Sequence, residues 1–272
     1  MKGGLIVRAT DHRDLDFHKS FGTAGFDTAE LPTRYSVDPN LTMPDQNADG
    51  FYYGCTGYSQ TDLCTDQDFT VYDAGEFYLS TPPGGLEGRS MRASLNLAVK
   101  RGPKTKDGLQ GEPRTAYYNI RARGILDWFD AVRVALWITQ NERRAASIAI
   151  PWMWGTNIPD TGILSSKDEY SWKLGAPHNA VVSGWTDVRR DGKYITNGEV
   201  FLEVKWWGGK NSGDNGWAYM PRDVANSVLS LNAAEAFTMT KNDSARLPID
   251  LSVIERLVSY IQLLLRRVGL LL

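Results

Sequence analysis

The sequence predicts an α+β fold in which a mainly helical half precedes a mainly β half. Apolar residues recur with a helical period in the segments up to residue 138. Beyond it, four segments are rich in β-branched and aromatic residues, which favours strands. Helices followed by strands are typical of α+β chains with two lobes. The 272 residues, 42% of them hydrophobic and 23% charged, suffice for one large domain or two lobes around a shared core.

The predicted organisation has four parts. Residues 1–54 are polar and rich in turn-forming residues, which predicts an extended arm. A mainly helical lobe over residues 55–125 and a mainly β lobe over residues 126–250 follow it. These three parts form one domain, residues 1–250. Residues 251–272 have a different composition and are predicted to form a separate C-terminal helix.

The helical half contains several predicted helices. Residues 55–100 are expected to be mainly helical, with helices over Thr70 to Ser80 and over Arg89 to Lys100. Residues 101–120 are charged and contain Gly and Pro, which predicts a surface loop. Leu126 to Ile138 has the clearest amphipathic pattern of the chain.

Strands are predicted where the helical period ends. The four segments contain many β-branched and aromatic side chains; they are Ala146 to Trp152, Ala180 to Trp185, Val200 to Trp207 and Ala234 to Thr240.

The last 22 residues carry an apolar heptad stripe. One apolar position repeats every seven residues and a second follows three residues later; the positions are Ile254, Ile261 and Val268, then Leu257, Leu264 and Leu271. Arg256, Arg266 and Arg267 interrupt the stripe, which disfavours a membrane-spanning helix. Self-association, or docking into a groove of another protein, is the favoured interpretation. Packing back on the chain's own lobes and lying on a membrane surface are the two alternatives.

Charge and the N-terminal residues exclude some classes of function. The formal net charge is -2 and no long basic run occurs, so nucleic-acid binding has no electrostatic support. The apolar run near the N-terminus is only three residues long before Arg8, too short for a signal peptide. The expected location is therefore cytoplasmic, and a larger particle such as a virion is compatible with the tail.

No cofactor or metal site is predicted. His12 and His18 lie near Asp11, Asp14 and Asp16, but a solvated polar arm explains these residues without a bound metal.

The chain has two cysteines, Cys55 and Cys64. If Cys55 opens a helix, a rise of ~1.5 Å per residue places Cys64 roughly 13 Å away, on the opposite helix face. A disulfide needs Cα atoms within about 7 Å, so the two cysteines are not expected to bond each other. Gly57 and nearby Ser, Thr and Asp residues weaken the helix prediction itself.

Cys55 lies in a segment suited to a reactive thiol. A helix N-terminus and a neighbouring imidazolium both favour the thiolate, and Gly54 lets a substrate backbone approach closely. The alternative is that Cys55 is a buried small apolar residue, as free cysteines often are.

Two further segments could complete a site. His178 begins an apolar strand segment, where it can face a groove, or it can be a hydrogen-bonded structural histidine. Trp206 and Trp207 precede a Gly-rich turn and could line a pocket, or they can form the aromatic core of a hairpin.

Together these segments resemble the papain-like family of cysteine peptidases. Gly54-Cys55-Thr56-Gly57-Tyr58 is similar to the Gly-x-Cys-Thr-Gly segment of bacterial and phage members. The stretch from His178 to Trp185 is similar to the family's His-Ala-Val-x-x-Val-Gly-Tyr segment. The family's last motif, Lys-Asn-Ser-Trp-Gly-x-x-Trp-Gly-x-x-Gly-Tyr, is matched in step by Lys205, Gly209, Gly213, Gly216 and Trp217. The resemblance covers roughly residues 30–240.

The resemblance implies a papain-like fold of two lobes, a helical N-terminal one and an antiparallel, β-barrel-like C-terminal one. It implies that Cys55 attacks the scissile carbonyl, while His178 holds the thiolate and later protonates the leaving amine. Gln46 and the Cys55 N–H would stabilise the oxyanion. Gly54, Trp206 and Trp207 would line the substrate-binding site.

The sequence departs from the family pattern at two site positions. Trp206 stands where the family has the Asn that orients the histidine, and an indole N–H cannot accept a hydrogen bond. Asn211, in the turn that follows, is the predicted replacement. Gln46 lies nine residues before Cys55, where the family has six, so an insertion between them is expected to loop out. The 54 residues before Cys55 are too few for the long inhibitory pro-segment of lysosomal members, so another form of control is expected.

Three functions therefore compete. The first is a cysteine peptidase acting on peptides or proteins. The second is a weakened or inactive papain-fold protein that serves as a structural or binding module in a larger assembly, which Trp206 and the tail favour. The third is a bacterial cell-wall amidase that uses the same Cys and His order.

Overall fold

The computed structural model describes residues 5–6, 15–38, 43–82, 88–152, 158–165, 176–195, 198–231 and 234–241. The predicted C-terminal helix, residues 251–272, and His12 lie outside them.

Ten strands occur in the described residues. They are β1 (Leu5–Ile6), β2 (Leu15–Asp16), β3 (Tyr35–Ser36), β4 (Arg89–Ser90), β5 (Ala116–Asn119), β6 (Ala146–Trp152), β7 (Ala176–Thr186), β8 (Phe201–Lys205), β9 (Trp217–Met220) and β10 (Glu235–Thr240). The main sheet runs in the order β2-β5-β10-β6-β7-β8-β9, and β3 pairs with β7. All its pairings are antiparallel except that of β2 with β5. This order is an open path, so the described strands do not close the barrel-like lobe that was predicted.

Six α-helices accompany the sheet in the described part of the chain. They are α1 (Phe17–Ser20), α2 (Cys55–Asp68), α3 (Ala74–Ser80), α4 (Met91–Arg101), α5 (Trp128–Ile138) and α6 (Arg222–Leu229). Short 3₁₀ turns occur at Thr28–Glu30 and Gln140–Glu142. No helix among the described residues is both long enough and apolar enough to cross a bilayer.

Most predicted elements are confirmed. Strand β6 has the predicted bounds, and α5 begins two residues later than predicted because the Asp127 side chain caps it by accepting from the Asp130 N–H. Helix α4 begins at Met91 because the two residues before it pair with β1. Helix α2 forms although it contains Gly57. A Cβ at this position would lie only 2.6 Å from the Ala74 carbonyl oxygen of α3. Gly57 thus allows α2 and α3 to pack closely.

Some elements were missed. Residues 101–120 are not a surface loop throughout, since they contain β5, which pairs with β10. Strand β9 and helix α6 were not predicted either. His18 belongs to no solvated arm: it is buried in α1, and its Nδ1 lies 2.7 Å from Thr23 Oγ1.

The apolar core forms two main clusters on opposite faces of the sheet. Successive side chains of a strand point to opposite faces. In β7, Ala180 and Val182 therefore join a cluster with α5 and α6, whereas Val181 joins a cluster with α2, α3 and α4. The two cysteines, both on α2, lie in the second cluster and are not disulfide-bonded, as expected. The helix that carries Cys55 is thus fixed against the strand that carries His178.

Gly184 of β7 lies against the backbone of β3, with which β7 pairs. A Cβ at this position would be 2.0 Å from the Tyr35 carbonyl oxygen and 2.7 Å from the Ser36 Cα. Backbone atoms cannot move away as a flexible side chain would. The strand pairing therefore requires glycine here.

We predict that Gly184→Ala lowers the free energy of unfolding by about 1–3 kcal/mol, the usual cost of overpacking. Chemical denaturation of the full chain measures this change. Gly25→Ala is the matched control, because a Cβ at Gly25 meets nothing within 4 Å. Equal stabilities of the two variants would contradict the close approach.

Candidate active site

Cys55 is the first residue of α2, and the turn before it determines its position. The Gly54 N–H donates to the Phe51 carbonyl at 2.8 Å, and a Cβ on Gly54 would lie 2.9 Å from the Phe51 Cβ. Glycine is therefore needed for this tight entry into the helix. At the helix N-terminus, backbone N–H groups and the helix dipole favour a negative sulfur.

His178 lies on β7 opposite Ile150 of β6, with 1% of its surface exposed. Its Nε2 is 3.0 Å from the main-chain carbonyl oxygen of Trp206. A carbonyl oxygen only accepts, so Nε2 carries the hydrogen. In a neutral imidazole the other nitrogen, Nδ1, then has no hydrogen and can accept a proton.

This hydrogen bond gives His178 the acceptor that is expected to be missing when Trp206 replaces the family's Asn. The indole cannot accept from the histidine, but the backbone of the same residue does. Asn211, the predicted substitute, is exposed in the turn between β8 and β9. The acceptor that was assigned to the Asn211 side chain is therefore provided by the main chain of Trp206.

Burial controls the charge of His178. Removal from water lowers the pKa of the ring to about 4, although the Trp206 carbonyl favours the protonated form. The ring is therefore neutral at neutral pH. This state suits a proton acceptor, whereas it disfavours a resting ion pair with a thiolate.

Aromatic side chains enclose the histidine. Trp152 packs against the His178 ring with centroids 5.3 Å apart and planes at 44°. The Trp206 indole stacks on Trp152, with centroids 5.7 Å apart and planes at 17°. Among the described residues, the Trp206 Nε1 has no hydrogen-bond partner. These rings exclude water from the histidine and so strengthen its hydrogen bond.

Trp207 supports the site from inside. Its Nε1 donates to the Asn179 carbonyl at 2.6 Å, and its backbone has a left-handed φ of 70°. Its ring packs 6.1 Å from that of Tyr58, in the core cluster that includes Cys55.

The substrate-lining roles predicted for three residues do not match this arrangement. Trp206 and Trp207 are both 0% exposed, and Gly54 is buried. As the site is arranged, they hold the backbone and the histidine in place and do not form the wall of an open groove.

Gln46 is brought close to the cysteine turn. Residues 46–50 and 52–54 form turns, which absorb the extra length between Gln46 and Cys55. The Gln46 N–H donates to the Trp207 carbonyl at 3.2 Å, and its Nε2 donates to the Tyr52 carbonyl at 3.3 Å. Its Oε1 has no partner in the described part of the chain. Gln46 thus connects the cysteine turn to the turn after β8.

The site is closed in this structure. Cys55 is 0% exposed and His178 1% exposed. Strand β1 pairs with β4 in parallel and also contacts β7, the strand of His178. The described residues contain no group of acidic, histidine or cysteine side chains suited to a metal ion.

The fold is that of known proteases. No family model matches the sequence, and no curated protein matches it. Among solved structures, xylellain, a cysteine protease from Xylella fastidiosa, has 14% identity and a TM-score of 0.61, covering 88% of this chain and 96% of its own. Procathepsin B S9 from Trypanosoma congolense has 14% identity and a TM-score of 0.61, over 89% and 87% of the two chains.

A third solved structure, digestive procathepsin L2 of the Tenebrio molitor larval midgut, has 15% identity and a TM-score of 0.60 over 88% of this chain and 78% of its own. Identities this low speak for the fold alone. The chain therefore has the fold of papain-like cysteine proteases.

Proposed function

We propose that this protein is a cysteine peptidase that cleaves amide bonds in peptides or proteins, with Cys55 as nucleophile and His178 as base. The observation that carries the proposal is the hydrogen bond from His178 Nε2 to the Trp206 carbonyl. It fixes the ring and leaves Nδ1 as the proton acceptor. The position of Cys55 at the start of α2 and the protease fold support the same conclusion.

In the first step, the Cys55 thiol gives its proton to His178 Nδ1, and the thiolate attacks the scissile carbonyl carbon. A C–S bond forms as the carbonyl π electrons move onto oxygen. The Cys55 N–H and Gln46 Nε2 donate to this oxyanion. The Gln46 amide nitrogen carries two hydrogens, so one can donate to the oxyanion while the other keeps its 3.3 Å hydrogen bond to the Tyr52 carbonyl.

In the second step, the oxyanion collapses, the C–N bond breaks and His178 Nδ1–H protonates the leaving amine. A thioester on Cys55 remains. Water then attacks the thioester carbonyl and gives a proton to Nδ1, which returns it to the departing thiolate. The Nε2–H remains hydrogen-bonded to the Trp206 carbonyl throughout, so the ring changes charge without changing orientation.

The alternative is a papain-fold binding protein that has weak activity or none. The observation in its favour is the burial of both Cys55 and His178, since neither side chain is accessible to a substrate in this structure. In this alternative, residues 251–272 mediate self-association or docking to another protein through their heptad stripe.

The peptidase proposal predicts a reactive Cys55. Because Cys55 is 0% exposed, labelling with iodoacetamide requires the site to open; with His178 acting as base, labelling of the native chain is still expected to be faster than that of the chain unfolded in guanidinium. His178→Ala is expected to slow it by at least about 10-fold, because base assistance is lost. Cys64→Ala is the matched control: burial raises the pKa of Cys64 to about 11, so this thiol contributes little labelling.

Cleavage of an unfolded protein substrate, present in the wild type and absent in Cys55→Ala, completes the test of the peptidase. A native labelling rate no higher than that of the unfolded chain would refute the proposal.

Acid sensitivity of the fold is the second prediction here. The folded pKa of His178 is lowered from 6.5 to about 4, so its contribution to stability is complete above 6.5 and is lost as pH falls towards 4. Burial lowers the pKa of His18 to about 4 as well. The melting temperature of His178→Gln should therefore fall less steeply between pH 6.5 and 4 than that of the wild type. His18→Gln should have a similar effect, and the double variant a larger one. Parallel curves for the wild type and His178→Gln would contradict a histidine that is buried in its neutral form.

The tail gives a third prediction. Deleting residues 251–272 is expected to convert an assembly into a monomer, as measured by light scattering, while residues 1–250 remain folded. Because one apolar face carries the association, Leu257→Glu with Leu264→Glu should have the same effect. Arg256→Gln with Arg266→Gln, which leaves the stripe intact, is the matched control. A full-length chain that is already monomeric would exclude association through the tail.

A further inference from the structure

The Trp206 carbonyl can orient His178 only if the backbone at residue 206 is itself held. Trp207 anchors it on one side through its indole N–H and through its carbonyl, which accepts from Gln46. On the other side is Lys205, the last residue of β8, which pairs with both β7 and β9. The side chain of Lys205 is therefore the second possible anchor.

Lys205 is almost fully buried, with 1% of its side chain exposed. Its Nζ lies 2.6 Å from Asp38 Oδ1, 3.1 Å from Asp62 Oδ1 and 3.8 Å from Asp66 Oδ1. Each of these carboxylates is also buried. A surface ion pair contributes little, but removing one partner of a buried pair leaves an uncompensated charge and has a large effect.

The carboxylates come from the helix of the nucleophile. Asp62 and Asp66 follow Cys55 by seven and eleven residues on α2. With about 3.6 residues per turn, these spacings correspond to two and three turns, so all three residues lie on one face of the helix. The face that begins with Cys55 thus also binds the lysine beside the histidine's acceptor.

Charge keeps Lys205 in place. Burial alone would lower the pKa of Lys205, but Asp62, Asp66 and Asp38 outweigh this effect and raise it, so the ammonium remains charged. Burial raises the pKa of both Asp62 and Asp66, and repulsion between these two carboxylates raises that of Asp66 further. Arg143 near Asp66, and Glu203 with its partner Arg190, complete the charged surroundings.

We propose that Lys205 is a positioning residue: through Asp62 and Asp66 it ties the helix of Cys55 to the Trp206 carbonyl and so sets the orientation of His178. Its meaning for catalysis rests on the proposed peptidase function. It touches neither substrate nor reacting atoms. Its effect is transmitted through one backbone carbonyl.

The test measures the histidine directly in the full chain. Nitrogen-15 NMR of the imidazole reports the tautomer and pKa of His178, whether or not the protein cleaves anything. In the wild type we expect the Nε2–H tautomer and a pKa near 4. In Lys205→Met we expect a mixture of tautomers, a pKa shifted towards 6.5, and Cys55 alkylation slowed by about 10-fold or more. Lys205→Arg keeps the charge and should restore most of both properties.

Lys193→Met is the matched control, because the Lys193 side chain is 77% exposed and its ion pair with Asp191 is long, at 3.7 Å. It should leave the tautomer, the pKa and the alkylation rate unchanged. If Lys205→Met does not fold, Asp62→Asn, which keeps the lysine but removes a charged contact at 3.1 Å, should shift the His178 pKa in the same direction by a smaller amount.

The two proposals can fail separately. A wild-type thiol that is inert, together with a tautomer that depends on Lys205, would remove the peptidase and keep the positioning role. The positioning role would be overturned if folded Lys205→Met has the wild-type tautomer and pKa of His178. If Lys205→Met does not fold, the same result for folded Asp62→Asn would overturn it.

Discussion

The hydrogen bond between His178 Nε2 and the Trp206 carbonyl is the contact on which the geometry of the site depends. A side-chain acceptor can adjust its position by rotation, whereas a main-chain acceptor is only as well placed as its strand. The backbone around residue 206 is correspondingly constrained, through the indole of Trp207, the N–H of Gln46 and the ammonium of Lys205. The acceptor carbonyl thus lies between two residues that are both anchored to other parts of the chain.

Helix α2 shows why a polar sequence can form a central helix. Its residues are mostly polar, yet nearly the whole helix is buried. The Gln60 amide donates to Ser147 Oγ at 3.1 Å and lies 3.3 Å from the oxygen of Asn179, the residue after His178. Most buried polar groups in proteins are paired, and paired groups specify one arrangement of neighbours. Helix α2 is therefore held against β7, the strand of His178, and against β8 by hydrogen bonds and charges as well as by apolar packing.

Sequence patterns predicted the elements whose conformation is determined by their own residues. The β-branched run of β6 and the amphipathic pattern of α5 are examples. Local patterns do not predict features that tertiary contacts decide: β5 is a strand because β10 lies beside it, and His18 is buried beside Ala131 of α5. Cys55 and His178 could be singled out from their segments. The acceptor for His178 could not, because every residue has a carbonyl and its direction depends on the fold.

The main-chain acceptor also affects how this site tolerates change. Any residue at position 206 that leaves the backbone in place retains the carbonyl, so substitutions there alter packing against Trp152 without deleting the histidine's partner. A survey of side chains alone would classify such a site as lacking one of its members. A change of side chain at position 206 therefore need not remove the acceptor that orients His178, and a tryptophan is compatible with that hydrogen bond.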